Sequence, residues 1–103
     1  MSKRVFDVSP FAERELENAV VFYRQKSSAL SMNFLVCIKE AWRQIEEFPE
    51  SGSVFDTRLR KVRVKKFPYI VIYHLTETRI QVLAIMHTRQ APQSFKERLP
   101  SSE

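Results

Sequence analysis

A chain of 103 residues with one cysteine and one glycine is sized for a single domain, residues 1–103, stabilised by an apolar core without metal or disulfide staples. Lone Cys37 excludes an internal disulfide, and the apolar run at residues 69–73 falls far short of the ~20 residues that a membrane-spanning helix needs. The net charge of +5 is uneven: residues 1–50 carry 7 Lys and Arg against 8 Asp and Glu, whereas residues 51–103 carry 10 against 4, so the second half favours an anionic partner.

In chain order, Val5, Phe6, Asp7 and Val8 alternate as in a short strand. Ser9 and Pro10 then predict a helix start. The serine oxygen can accept from a first-turn N–H, and proline's missing N–H would be unpaired at the first helical position anyway. Ala12, Leu16, Ala19 and Tyr23, with Val20 beside them, make one apolar face. Glu13, Glu15 and Glu17 take the wet side and suit the helix N-terminus, as Arg24 and Lys26 suit its C-terminus. Residues 26–31 predict a turn, with Ser31 capping a second helix. There Phe34, Ile38, Ala41, Ile45 and Phe48 recur at helical spacing, with Leu35 and Trp42 in the adjoining column, until Phe48-Pro49 ends the run. Cys37 lies within this pattern and is expected to be a small buried or half-buried residue rather than a nucleophile. Two helices with facing apolar stripes and a short link predict a helical hairpin.

Residues 50–53, with Gly52, mark the break into a sheet half. Strands are expected at residues 59–64, 69–75 and 80–87, joined by links short enough for a meander. In the first, Leu59, Lys61 and Arg63 alternate with Arg60, Val62 and Val64, the pattern of a half-exposed strand with a cationic outer face. The other two are apolar on both faces, as for strands covered by helices on one side and partly covered on the other. A last short helix is expected at residues 92–99. The sum is an α+β chain, β-α-α-β-β-β, with the hairpin packed on one face of an antiparallel-rich sheet and the other face left to function.

Six cations, Arg58, Arg60, Lys61, Arg63, Lys65 and Lys66, crowd one stretch with no acid among them. Many small basic domains are merely soluble; it is the clustering, with Arg89 further on, that points to a binding surface. His87, close to Arg89, could move a proton near neutral pH or be a hydrogen-bonded residue at a sheet end. His74 is expected to be a sheet residue, and Trp42 to lie in the core or an interface. Two histidines and one cysteine, without short-spaced acidic or histidine neighbours, give no metal set, and no glycine-rich phosphate loop is present, so no cofactor is expected. An unpaired thiol and no apolar leader suggest a reducing, cytoplasmic setting.

Several stretches taken together carry a resemblance: V8-S9-P10 with A12, E15 and L16; F22-Y23; I45 with F48-P49, S51 and G52; L59-R60; F67 through Y73; and I80, V82-L83, I85, H87 and R89. In this order and spacing the chain resembles the RelE/ParE superfamily of toxins from type II toxin-antitoxin pairs, often described as plasmid stabilisation proteins. The resemblance runs from about Val5 to Leu99. It implies a cytoplasmic growth inhibitor neutralised by a cognate antitoxin, an acidic or amphipathic segment that wraps the hairpin and the cationic sheet.

Two branches imply different chemistry. RelE-like members cleave messenger RNA on the ribosome with basic side chains and a tyrosine; ParE-like members share the fold, lack that set and poison DNA gyrase. Lys61 and Arg63 fall where RelE-like nucleases place two lysines, and Arg89 where an arginine stands. Ile70, however, replaces a phosphate-stabilising arginine and Phe95 a tyrosine. Neither side chain can neutralise charge or move a proton, and each such loss removes a factor of roughly 10² to 10⁴ in rate. The resemblance therefore favours the gyrase-poisoning branch, with a nuclease using Lys61, Arg63, His87 and Arg89 as the alternative and an antitoxin-binding protein without toxicity as a third reading.

Overall fold

Ser9 joins the first two elements. In the computed structural model, which describes residues 4–56 and 58–89, its backbone is extended, its N–H donates to the Val82 carbonyl, and its oxygen accepts from the Ala12 N–H at 3.2 Å. Strand β1 (Val5–Val8) thus turns directly into helix α1 (Pro10–Lys26). Helix α2 (Ser28–Glu47), a 3-10 turn (Pro49–Ser51) and strands β2 (Ser53–Asp56), β3 (Leu59–Arg63), β4 (Tyr69–Leu75) and β5 (Arg79–His87) follow. The helix expected at residues 92–99 lies outside the described residues.

Two expectations need correction. The helices are joined not by a turn over residues 26–31 but by Ser27 alone, which ends α1 by donating its N–H to the Tyr23 carbonyl and caps α2 by accepting from the Leu30 N–H at 2.9 Å. Ser31 is instead buried one turn inside α2, its hydroxyl donating to the Ser28 carbonyl. The sheet also has five strands, not four, because Ser53–Asp56 pairs antiparallel with β3. The order is β1-β5-β4-β3-β2, antiparallel throughout except that β1 runs parallel to β5.

The hairpin buries its stripe against Val62, Val71, Tyr73, Val82 and Ile85 on one face of the sheet. Cys37 is a free, buried thiol within this core, as its place in the helical pattern predicts. Tyr23, Phe34, Phe67 and Tyr69 meet ring against ring, with Phe34 centred 5.1 Å from Phe67 and 5.3 Å from Tyr69. This cluster ties the closed end of the hairpin to the β3–β4 turn, an aromatic contribution of roughly 0.5 to 1.5 kcal/mol per pair beyond simple burial.

The opposite face is not left open. Leu59, Ile72, Leu83, Ala84 and Met86 form a second buried cluster there, with Ile70 packed against it. A bulge helps to build it: Ile72 faces Ala84 but Tyr73 faces Val82, so two β5 side chains, Leu83 and Ala84, crowd one partner residue.

Burial raises the phenol pKa of Tyr23, Tyr69 and Tyr73 above the ordinary 10.0; the Tyr69 charge adds to the rise at Tyr23, while the Gly52 backbone and Arg60 partly oppose it at Tyr73. A folded state that holds these protons more tightly gains stability that is fully present below pH 10 and lost as pH rises through the raised values. Phenolate absorbance and far-ultraviolet dichroism are therefore expected to change together in one cooperative transition above pH 10. Phenolate formation near pH 10 with the dichroism intact would contradict this.

Candidate functional site: a cationic strand and the groove beside it

Strand alternation divides the basic run between two faces. Val62 packs into the hairpin-side core, so Lys61 and Arg63 alternate to the opposite side, where both are exposed; Arg63, at the uncovered edge of the strand, also lines a groove beside α2. Arg60 lies on the hairpin side and donates from one Nη1 to the Glu50 carbonyl at 3.0 Å and the Gly52 carbonyl at 2.9 Å. Its guanidinium thus holds the 3-10 turn against β3, and its role is first of all structural.

Arg58 and Lys66 sit in the two turns flanking β3, each at φ 70°. The left-handed conformation costs a residue with a Cβ roughly 1 to 2 kcal/mol, so the fold bears strain at both cations. Glycine relieves it. Lys66→Gly is expected to hold or raise the thermal midpoint while removing the charge, and a loss of partner binding in that variant reports on the cation rather than on the fold.

Beyond Lys61, β3 loses its outer neighbour, because the ladder with β2 reaches no further than Ser53 opposite Lys61. A groove opens along α2 where the strand edge is uncovered. One stretch is lined by Cys37, Glu40, Gln44 and Phe48 from the helix and by Arg63 and Lys65 from the sheet. The next is lined by Leu30, Val36 and Cys37 together with Lys65, Lys66 and Phe67. Cys37, Glu40 and Lys65 belong to both, so the two stretches form one channel with an apolar floor and a cationic sheet-side rim.

The four residues of the nuclease alternative are not brought together. His87 pairs in register with Tyr69 and stacks edge-on against its ring at 5.3 Å, which puts it on the hairpin side. Lys61 and Arg63 point the other way. The His87 Nδ1 accepts from the Arg89 backbone N–H at 3.1 Å, a bond that requires this nitrogen to be unprotonated. Arg89 is exposed just past the end of β5. Ile70 stands opposite Arg63 in the ladder and packs with the second apolar cluster, placing a hydrocarbon beside the cation. Phe95 lies outside the described residues. Among the described residues no group of three or more His, Cys, Asp or Glu converges where it could hold a metal ion, and no helix is long and apolar enough to cross a membrane.

Sequence reasoning missed two residues that shape this region. Glu15, assigned to the wet side, accepts the Ile85 N–H at 2.9 Å and so caps β5 where β1 has already ended. No periodic signal marks it. Gly52, read in the sequence only as the break between the helical and sheet halves, is the other: a Cβ there would meet the Tyr73 hydroxyl at 2.4 Å, and that hydroxyl donates to the Pro49 carbonyl. Its being the only glycine in the chain was the available clue.

Over residues 6–92 the sequence matches the family described as ParE toxin of type II toxin-antitoxin system, parDE. A solved structure described as "Chromosomal ParDE TA system from P. aeruginosa" has a similar fold, with a TM-score of 0.71 and 14% identity over 82% of this chain and 95% of that one. No curated protein sequence matches the chain. A family match over residues 6–92, on a hairpin-covered sheet of this topology, establishes that the chain belongs to the ParE toxins of type II toxin-antitoxin systems.

Proposed function

We propose that the protein inhibits growth by binding and poisoning DNA gyrase, without chemistry of its own, and that a cognate antitoxin neutralises it. The observation that carries this reading is the division of the basic and titratable residues. Lys61 and Arg63 stand on one face of the sheet and His87 on the other, while Ile70 fills the position beside Arg63. A nuclease site needs a proton-moving group and cations converging within hydrogen-bond reach of one phosphate. An exposed row of Arg and Lys on a rigid strand instead suits recognition, since it attracts an anionic partner and fixes its register.

The antitoxin's place on this reading is the channel between α2 and the β3–β4 turn. Its floor offers Leu30, Val36 and Phe67 to an apolar stripe, and its rim offers Arg63, Lys65 and Lys66 to acids. An amphipathic acidic segment satisfies both. The protein is cytoplasmic on this account, where gyrase and the antitoxin meet it.

Purified protein is expected to inhibit gyrase supercoiling and trap cleavage complexes, and to leave messenger RNA intact in a ribosome-dependent cleavage assay. Cleaved message that disappears in Arg89→Ala, with supercoiling unaffected, establishes the nuclease reading instead. Normal growth under confirmed expression without antitoxin removes both.

A further inference from the structure

We propose that Lys61 and Arg63, the outward row of β3, bind the phosphate backbone of double-stranded DNA. The inference rests on the gyrase reading for where that DNA is met, because the complex that a gyrase poison traps contains the enzyme and its DNA. The toxin then holds the DNA as well as the enzyme. The two side chains are exposed and two positions apart, about 7 Å, which matches two phosphate steps of a duplex strand at about 3.4 Å of axis each.

The row is fixed before any partner arrives. Lys61 stands opposite Ser53 on one side and Ile72 on the other, so the backbone that carries this cation is held by two ladders. Arg63 is held by one, opposite Ile70. Arg58 precedes the strand and Lys65 and Lys66 follow it, all three exposed, while Arg60 is engaged with the Glu50 and Gly52 carbonyls and takes no part. One carboxylate, Asp56, stands opposite Leu59 at the near end of the row. Cations in this excess neutralise phosphates and release the counterions condensed on them, which is the main source of sequence-independent affinity for a duplex.

What the row lacks decides the class of partner. Protein interfaces are centred on desolvated apolar side chains, with charges kept to the rim. Among the described residues every large apolar side chain that stands exposed, from Val5 to Val54, comes before β3, and none lies on β3, β4 or β5. Cations without an apolar anchor suit a polyanion, since interfaces with DNA are more polar and more positive than those between proteins. The channel beside α2 differs in this respect, because Leu30, Val36 and Phe67 line it. Lys61 lines neither described stretch of that channel, so a change there tests DNA without touching the proposed antitoxin seat.

Fluorescence anisotropy of the full chain with a labelled duplex of arbitrary sequence, without gyrase, tests it. With about three phosphates engaged, by Lys61, Arg63 and one turn lysine, the slope of log affinity against log salt is expected to be about −2.7, roughly a 40-fold loss between about 50 and 200 mM. Lys61→Gln is expected to lower that steepness by about one at an unchanged thermal midpoint, and Lys61→Arg to keep it. Lys39→Gln removes the same charge from an exposed position of α2 and should leave the slope as it was. No binding to the duplex, an equal change in Lys39→Gln, or tighter binding of single-stranded RNA than of duplex overturns the proposal. Gyrase supplies the second arm. Lys61→Gln combined with Arg63→Gln is expected to raise the toxin concentration that traps cleavage complexes by roughly tenfold. Full-strength poisoning by that variant overturns the DNA contact and leaves the gyrase reading standing; duplex binding with the expected slope by a protein that leaves gyrase untouched does the reverse.

Discussion

Gly52→Ala is expected to destabilise the protein by roughly 2 to 4 kcal/mol, through steric conflict and the hydrogen bond that the conflict breaks. The backbone there has φ −68°, which any residue adopts, so the cause is space rather than conformation. An added Cβ would lie 2.4 Å from the Tyr73 hydroxyl and 3.0 Å from the Lys61 carbonyl oxygen. Neither can yield easily: Tyr73 is completely buried and donates to the Pro49 carbonyl, and the Lys61 carbonyl belongs to a paired strand. Pushing the phenol aside leaves its hydroxyl and the Pro49 carbonyl without each other.

This makes a double-mutant cycle informative. Tyr73→Phe alone is expected to cost about 1 to 2 kcal/mol for the lost buried hydrogen bond. In the Gly52→Ala background it removes the atom that collides, so the combined loss should fall short of the sum by about 1 kcal/mol or more. Urea midpoints at constant m-value measure it. Strict additivity would show that the two residues do not compete for the same space.

Phe34→Ala is expected to cost about 3 to 5 kcal/mol, the range for emptying a fully buried aromatic site. Phe34 is fully buried and its ring meets those of Tyr23, Phe67 and Tyr69. Those three cannot close the gap by sliding, since Phe67 and Tyr69 are held by a tight turn in which the Tyr69 N–H donates to the Phe67 carbonyl. Val36→Ala, two positions along the same helix but 55% exposed, is the control and should stay within about 0.5 kcal/mol of the parent. Because the cluster anchors the β3–β4 turn, Phe34→Ala should also quicken amide exchange at Lys65 and Lys66. Equal exchange in parent and variant would break the link between the aromatic core and the cationic rim.

The elements that bury one stripe were plain in the sequence. Phe34, Ile38, Ala41 and Ile45 sit at helical intervals and are all buried, and Cys37 beside them follows suit, whereas Phe48, the last residue of the expected stripe, caps the helix and is 63% exposed. The apolar runs of β4 and β5 likewise announced strands with two apolar sides. Elements fixed by distant partners were not legible. Ser27, Ser28 and Ser31 are locally similar candidates for a cap, and the choice depends on how closely the helices must fold back. Strand β2 is four residues long, with Ser53 and Asp56 at its ends, too short to alternate convincingly.

At the site, the sequence identified which side chains are cationic but not their engagements. Arg60 and Lys61 are adjacent and equally basic, yet Arg60 is bound to two carbonyls of a turn some ten positions upstream. The separation of His87 from Lys61 follows from strand register, with Tyr69 opposite His87 and Ile72 opposite Lys61, and register is a property of pairs of strands.

The parallel pairing of β1 with β5 also governs when the molecule can exist. Val5–Val8 have their ladder partners at Arg79–Val82, and Arg4 donates to the carbonyl of Thr76, 72 positions later. During synthesis the first strand and the helices emerge early but find no sheet to close against until β5 has left the ribosome. A prematurely terminated chain therefore lacks the cross-sheet pairing that defines the fold, and a toxin built this way becomes competent only near the end of its own translation.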